Sequence, residues 1–383
     1  MFQNFILLFS LATMLGAATN VQRSGKYEVT LREPEGGLSA QEEMQIEFRV
    51  VDTSRVDPVM GAAGVIRARI EGVVEMPAMA GMPKVVEIAH PEGVPGEYGL
   101  HPMFAHGGEF KLTLKIAPPA GQAFEVSFPL QVGDARSATK ATIKPYRLEV
   151  VSSPKNPKAG EPADLTIRVI RDATKEPITA FDLTHEHPLH LIVVRADLGV
   201  FAHLHPALGE NGVFRVKHVF PTGGEYHLFA DAAPRAAGSQ VLMAALKVNG
   251  KSEAKFDLSK ADRGTKRQVQ GVVVDLDAPA IEPVKKSVTL RTSVRDAQGN
   301  PVTNLEPYLG AMGHFILIHE DGVTMVHSHP DERGAGPDFG KDGVVPFLSR
   351  FPKPGLYRGW AQFQRAGTVI TADFILEAGG PAK

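Results

Sequence analysis

HFILIHEDGVTMVHSH, residues 314–329, decides the fold. Two alternating apolar runs flank Asp321-Gly322. That dipeptide between such runs is the strongest short-range signal for a β-hairpin with a two-residue type I′ turn. A loop of that length pairs Glu320 with Val323, sets His327 opposite Ile316 and sets His314 opposite His329. Side chains alternate faces with period two. His314, His327 and His329 therefore share one face at the open end of the hairpin. Met312 and Met325 have the same parity, and Ser328 points the other way.

The construction occurs twice. HLIVVRADLGVFAHLH, residues 190–205, folds about Ala196–Gly199. It sets His190 against His205, with His203 one step along and Leu204 on the other face. His185 and His187 lie just before, close enough to swing in. Segment 171–179 (RDATKEPIT) also matches 295–303 (RDAQGNPVT) at the same offset of 124. A second shared block, FPTGGEYHLFA at 220–230 and FPKPGLYRGWA at 351–361, has an offset of 131. The third copy thus carries a seven-residue insertion in its Gly/Asp-rich loop. FAHGGEFKLTL, residues 104–114, is a third relative of the same block. The chain reads as three modules, 25–135, 145–250 and 268–379, joined by polar linkers rich in breakers.

Each module is a series of short Val/Ile/Phe-rich segments separated by Gly, Pro and Asp, and no long segment has helical period. The expected fold is all-β: three tandem antiparallel β-sandwiches of immunoglobulin or cupredoxin type. Residues 2–18, FQNFILLFSLATMLGAA, have the apolar length of a secretory signal and small residues at a cleavage site. Residues 1–18 are therefore read as a signal peptide or anchor, and the rest as periplasmic or secreted. Membrane contact is expected only through an uncleaved N-terminus.

Composition removes several classes of function. The 383 residues carry 41 Lys+Arg and 43 Asp+Glu, a net charge of -2 that leaves no footprint for nucleic acid. Cys is 0, which excludes disulfides, thiolate metal sites, Cys nucleophiles and blue-copper centres. No nucleophile elbow, P-loop or dinucleotide fingerprint occurs.

The histidines point to metal. Opposed Cβ atoms in a hairpin lie about 4.5–5.5 Å apart, so three imidazoles can converge on one ion at bonds of about 2.0–2.1 Å. The expected ligands are His190, His203 and His205 in module 2 and His314, His327 and His329 in module 3. His185, His187, Met312 and Met325 are candidate fourth ligands. Carboxylates are sparse near these positions, which argues against Ca²⁺ or Mg²⁺. Module 1 has methionine at the matching place: Met76, Met79 and Met82, followed by His90, His101 and Met103. Thioethers are soft and select Cu(I), although buried methionine also serves as core filler.

VVEMPAMAGMPK, GEYGL and FAHGGEFKLTLKI in module 1 resemble the YtkA-like/FixH-like domain, a small β-sandwich of exported or membrane-attached bacterial proteins. The resemblance implies a role near copper handling or heme–copper oxidase assembly. A copper transporter or an oxidase assembly protein would then be a partner. The HLHP and HSHP segments of modules 2 and 3 resemble His-rich modules of secreted proteins linked to heavy metals.

The resulting expectation is an exported metal-binding protein for sequestration, transfer or resistance, with a site on each sandwich. Copper, as Cu(I) or Cu(II), is the expected ion, with zinc as the alternative. A metal-free structural or interaction protein of the cell envelope is the competing class. A His₃ zinc hydrolase is less well supported, because no general base sits near the histidines and the site is duplicated.

Overall fold

In a computed structural model, residues 20–34, 37–79, 83–134, 145–235, 237–282, 287–333 and 339–379 are described. The expected signal segment and Met82 lie outside them. The described chain is strands with two single-turn 3₁₀ helices. No helix among the described residues is long and apolar enough to cross a membrane.

The three modules are β-sandwiches, each with its own core. In module 1, one layer runs Asn20–Ser24, Tyr27–Arg32, Ile46–Asp57, Glu97–Leu100 and His90–Pro91. The other runs Leu38–Ser39, Phe124–Gly133, Gly108–Ala117, Arg69–Glu75 and Val85–Ile88. Burial alternates along Tyr27–Arg32, as expected where one face meets the core. Phe48, Phe104 and Phe128 lie between the layers. In module 2, Tyr146–Ser153, Pro162–Arg171, Phe214–Val219 and Ala207–Leu208 face a second sheet. That sheet is built on Gly224–Pro234, Leu189–Arg195 and Phe201–Leu204. Module 3 repeats this plan, except that Met325–Pro330 bridges its two layers. It pairs with His314–His319 in one layer and, through His329–Leu348 and Pro330–Phe347, with Val344–Ser349 in the other.

The hairpin registers are those read from the sequence: Ile316 pairs with His327, and Ile192 with His203. The turn differs. It spans His319–Gly322, with the Gly322 amide donating to His319 O at 2.8 Å, and it closes on the pair His319–Thr324. Only Gly322 has positive φ, so this is not type I′. The cause is Asp321, whose carboxylate accepts from the amides of Val323 and Thr324 and holds the loop wider. Asp197 likewise accepts from Gly199 in module 2, where Leu198 takes the positive φ.

Leu189–Arg195 and His314–His319 are buried at every position. One face of each fills its own module's core, through Leu189, Leu191 and Val193 or Phe315 and Leu317. The other faces meet across the boundary between modules 2 and 3, where Ile192, Val194, Leu198 and Phe229 pack on Ile316, Ile318 and Trp360. Phe201 stacks on Trp360 at 4.5 Å.

The contacts around this seam follow an approximate two-fold relation. His227 donates to the Gly322 carbonyl of the opposite hairpin turn, and Arg358 donates to the equivalent Leu198 carbonyl. Module 1 docks at one end. Arg235 donates to Val59 O, and Met60 and Val94 pack against Ala233.

Burying an Ile side chain contributes roughly 1.5–3 kcal/mol, and truncating one leaves a cavity. Ile318→Ala should lower stability by about 2–5 kcal/mol and shift the emission of Trp360, the single tryptophan, to longer wavelength. Urea denaturation followed by fluorescence tests this. A loss below about 1 kcal/mol with unshifted emission would mean the seam does not hold the modules together.

Candidate metal centre

Ile192 and Ile316 have the parity of His190 and His314, so the histidine face of each hairpin is also its seam face. The two sets of histidines therefore meet in one centre between modules 2 and 3, rather than forming separate sites on separate sandwiches. Ring centroids of His190 and His314 are 6.1 Å apart, and those of His203 and His314 are 6.0 Å apart.

Hydrogen bonds orient the rings, with the Gln362 amide set oxygen-first toward His203. His190 Nε2 donates to Thr184 O at 2.8 Å, so the neutral ring presents a lone pair at Nδ1. His203 Nδ1 donates to Gln362 Oε1 at 2.7 Å, while the Gln362 amide nitrogen is engaged with Thr371. His203 Nε2 is therefore also a lone pair. The two acceptor nitrogens lie 3.1 Å apart with no hydrogen to share. Module 3 has the same contacts, in that His314 Nε2 donates to Tyr308 O, His327 Nδ1 donates to Asp231 Oδ2 at 2.6 Å, and His314 Nδ1 lies 3.3 Å from His327 Nε2, but here the Asp231 carboxylate lets His327 carry a second hydrogen and donate it to His314. Two nitrogens bound to one ion at about 2.0–2.1 Å in tetrahedral geometry are about 3.3 Å apart. The spacing suits ligands around a shared cation as well as a ring N–H···N hydrogen bond.

The supporting residues are crossed. Gln362 of module 3 orients His203 of module 2, and Asp231 of module 2 orients His327 of module 3. Both were missed in the sequence. They sit at the shared offset of 131, one position beyond the repeated blocks compared above.

His190, His203 and His205 bring one ligand nitrogen each to within 4.8 Å of one another. His187 stacks on His205 at 4.3 Å and completes the module 2 side. The module 3 trio is more open. Its ladder stops at Phe315–Ser328, and His329 pairs with Leu348 instead of facing His314. The ring of His185 fills the gap, 4.8 Å from His314 and 4.5 Å from His329. Thus the His185-Glu-His187 segment gives one imidazole to each side. Gly93 of module 1 makes room for it, since a Cβ there would lie 2.5 Å from His185 Nε2. Among the described residues, no hydrogen-bond partner meets Nε2 of His185, His205 or His329, all of them buried atoms.

Of the methionines, Met325 lines a cleft with His327 and His329. Met312 packs on the module 3 core, and Met325 packs on the seam cluster containing Trp360. Met76 lies against the module 1 core, while Met79 and Met103 are 52% and 46% exposed. His101 turns away to His90, with ring centroids 4.7 Å apart. Of the group expected for Cu(I), Met76 is partly buried, Met79 and Met103 are exposed, and Met82 lies outside the described residues. The strand Arg69–Glu75 ends just before Met76.

Burial and neighbouring imidazoles push five of these rings toward the neutral form. Burial, then the charge of His327, pushes His190 down to about 4. Burial, then His190, pushes His205 down to about 3. Burial and the surrounding histidines hold His185, His203 and His314 well below the ordinary imidazole range. Burial alone would raise the Asp231 carboxyl, but the hydrogen bond and charge of His327 hold it below the carboxylate range. Asp231 can thus balance a proton or a metal ion at His327, whereas neutral Gln362 offers no counter-charge at His203.

Because these folded-state values are depressed, the unfolded chain binds more protons below its own pKa of about 6.5. Stability of the metal-free protein is full above that pH and falls as pH drops toward 4. Each such histidine contributes a slope of about 1.4 kcal/mol per pH unit. Melting of chelator-treated protein should therefore drop steeply between pH 7 and pH 5. A flat profile would contradict the neutral, buried centre.

No curated protein matches the chain. Among solved structures, it is similar to FetP of uropathogenic E. coli strain F11, at 16% identity over 30% of this chain and 93% of that one, with a TM-score of 0.25. It is also similar to the E. coli adhesin FdeC, at 15% identity over 94% and 98%, with a TM-score of 0.21. A Ca²⁺-stabilized adhesin of an Antarctic bacterium matches at 9% identity over 91% and 73%, with a TM-score of 0.22. Likeness at this level says nothing of what this chain binds. One family model, the domain of unknown function DUF8832, matches twice, over residues 141–263 and 267–380. Those stretches are modules 2 and 3, more than half of the chain, and the protein belongs to the DUF8832 family.

Proposed function

We propose that this chain is an exported protein that binds a transition-metal ion, copper foremost, in the histidine centre between modules 2 and 3. The observation that carries the reading is the pair of facing lone pairs, His190 Nδ1 and His203 Nε2, 3.1 Å apart. Left without a cation they repel each other. Neutral imidazole suits Cu(II), Cu(I) and Zn(II). The preference for copper rests on the resemblance of module 1 to the YtkA-like/FixH-like domain. Sequestration, or transfer to a copper transporter or oxidase assembly protein, suits a centre with two sides close together.

A metal-free interaction protein is the second reading. It is favoured by the same bonds to Thr184, Tyr308, Gln362 and Asp231, because a purely architectural network would also use them.

Titration of the untagged protein separates the two. The wild type should retain Cu(II), Cu(I) or Zn(II) through gel filtration. His203→Ala with His205→Ala should lose one equivalent while the remaining fold keeps its circular dichroism. Unchanged stoichiometry in that double variant would sink the assignment. No retained metal in the wild type would make the histidines architecture.

A further inference from the structure

The geometry points to a second kind of metal site, carried by module 1 alone: His90, Glu92 and His101 bind a divalent ion of the Zn(II) or Cu(II) class at the mouth of the cleft beside module 3. The site adjoins the module 3 side of the seam centre, where Glu92 lies 4.0 Å from His329, but its ligands are its own. It uses a carboxylate, and it stands or falls independently of the metal bound between modules 2 and 3.

All three residues come from one hairpin. His90–Pro91 pairs with Glu97–Leu100, His90 facing Gly99, and Glu92 opens the turn while His101 directly follows the second strand. Their ligand atoms all lie within 4.8 Å of one another. His90 is 8% exposed, and among the described residues its buried Nε2 meets no hydrogen-bond partner. Its Nδ1 lies 3.4 Å from the Pro91 carbonyl and 3.7 Å from Glu92 Oε1, and donation to that carbonyl leaves Nε2 as the lone pair.

His101 is set in the same way. Ser287 Oγ donates to Glu43, so the hydroxyl oxygen is left to accept from His101 Nδ1 at 3.3 Å. That leaves His101 Nε2 as the lone pair. Glu92 receives one hydrogen bond, from Gln45 at 3.2 Å, and its other oxygen lies 4.0 Å from His329. Gly99 makes the arrangement sterically possible, because a Cβ there would collide with the Glu92 carboxylate and crowd His90.

Two imidazoles and a carboxylate are a borderline-to-hard donor set. It favours divalent ions over Cu(I), and three protein ligands leave positions open for solvent or exchange. The cleft supplies that access: it encloses about 360 Å³, and His90, Glu92 and His101 line it together with His327 and His329.

The test is Zn(II) titration of the full untagged chain by calorimetry. Glu92→Gln with His101→Gln should bind one Zn(II) fewer than wild type, with an unchanged melting temperature and unchanged Cu(I) stoichiometry. His203→Ala with His205→Ala should retain that equivalent. A wild-type Zn(II) count in the Glu92→Gln/His101→Gln variant overturns the inference, whatever the seam centre does. A loss confined to the His203/His205 variant supports the seam centre and rejects this site. As a measurement free of any folding defect, Zn(II) should slow diethylpyrocarbonate modification of His101 in the wild-type chain at least tenfold. An unprotected His101 in zinc-loaded protein also overturns it.

Discussion

The rest of the structure depends on one constraint: both faces of the first strand in each of the two central hairpins are buried. Leu189–Arg195 and His314–His319 each serve a module core on one side and a neighbouring module on the other. That double burial joins modules 2 and 3 through Ile192, Val194, Ile316, Ile318 and Trp360. It also carries His190 and His314 into a space that water does not reach, since both are fully buried. An imidazole there must be paired, protonated or coordinated. Backbone carbonyls take one nitrogen of each ring, and the other nitrogen is left facing a second lone pair.

The duplication explains why the centre is paired and the crossing explains why it is uneven. Equivalent positions 231 and 362 reach across the seam to orient the opposite module's histidine. One is a carboxylate and the other an amide. The side backed by Asp231 carries its own negative charge, and the side backed by Gln362 does not. The HEH segment of module 2 has no histidine counterpart in module 3, where Leu309 and Ala311 stand at the matching offset. Module 2 alone thus supplies the additional imidazole for both sides, and module 1 holds it in place through the bond from the His185 amide to Gly93 O.

Much of this was legible in the residues. The repeat offset, the hairpin register and the shared face of the histidines follow from period-two alternation and a short loop. The turn type was not, because Asp321 binds the loop amides with its own carboxylate. The meeting of the two hairpins was signalled but unread: LIVV and FILI are continuous apolar runs, the mark of strands buried on both faces. Spacing in the Pro- and Gly-rich loop of the methionines does not fix the direction of their side chains. Glu92 was missed because its partners, His90 and His101, gain their meaning only when the hairpin brings sequence-distant positions together.

The account turns on a cation between His190 Nδ1 and His203 Nε2. Anomalous diffraction at the copper and zinc edges, from crystals of untagged protein, reads that position directly. The account predicts an anomalous peak within about 2.2 Å of both nitrogens. Absence of the peak, with the Gln362 amide reversed so that His203 Nε2 carries a hydrogen to His190, would contradict it.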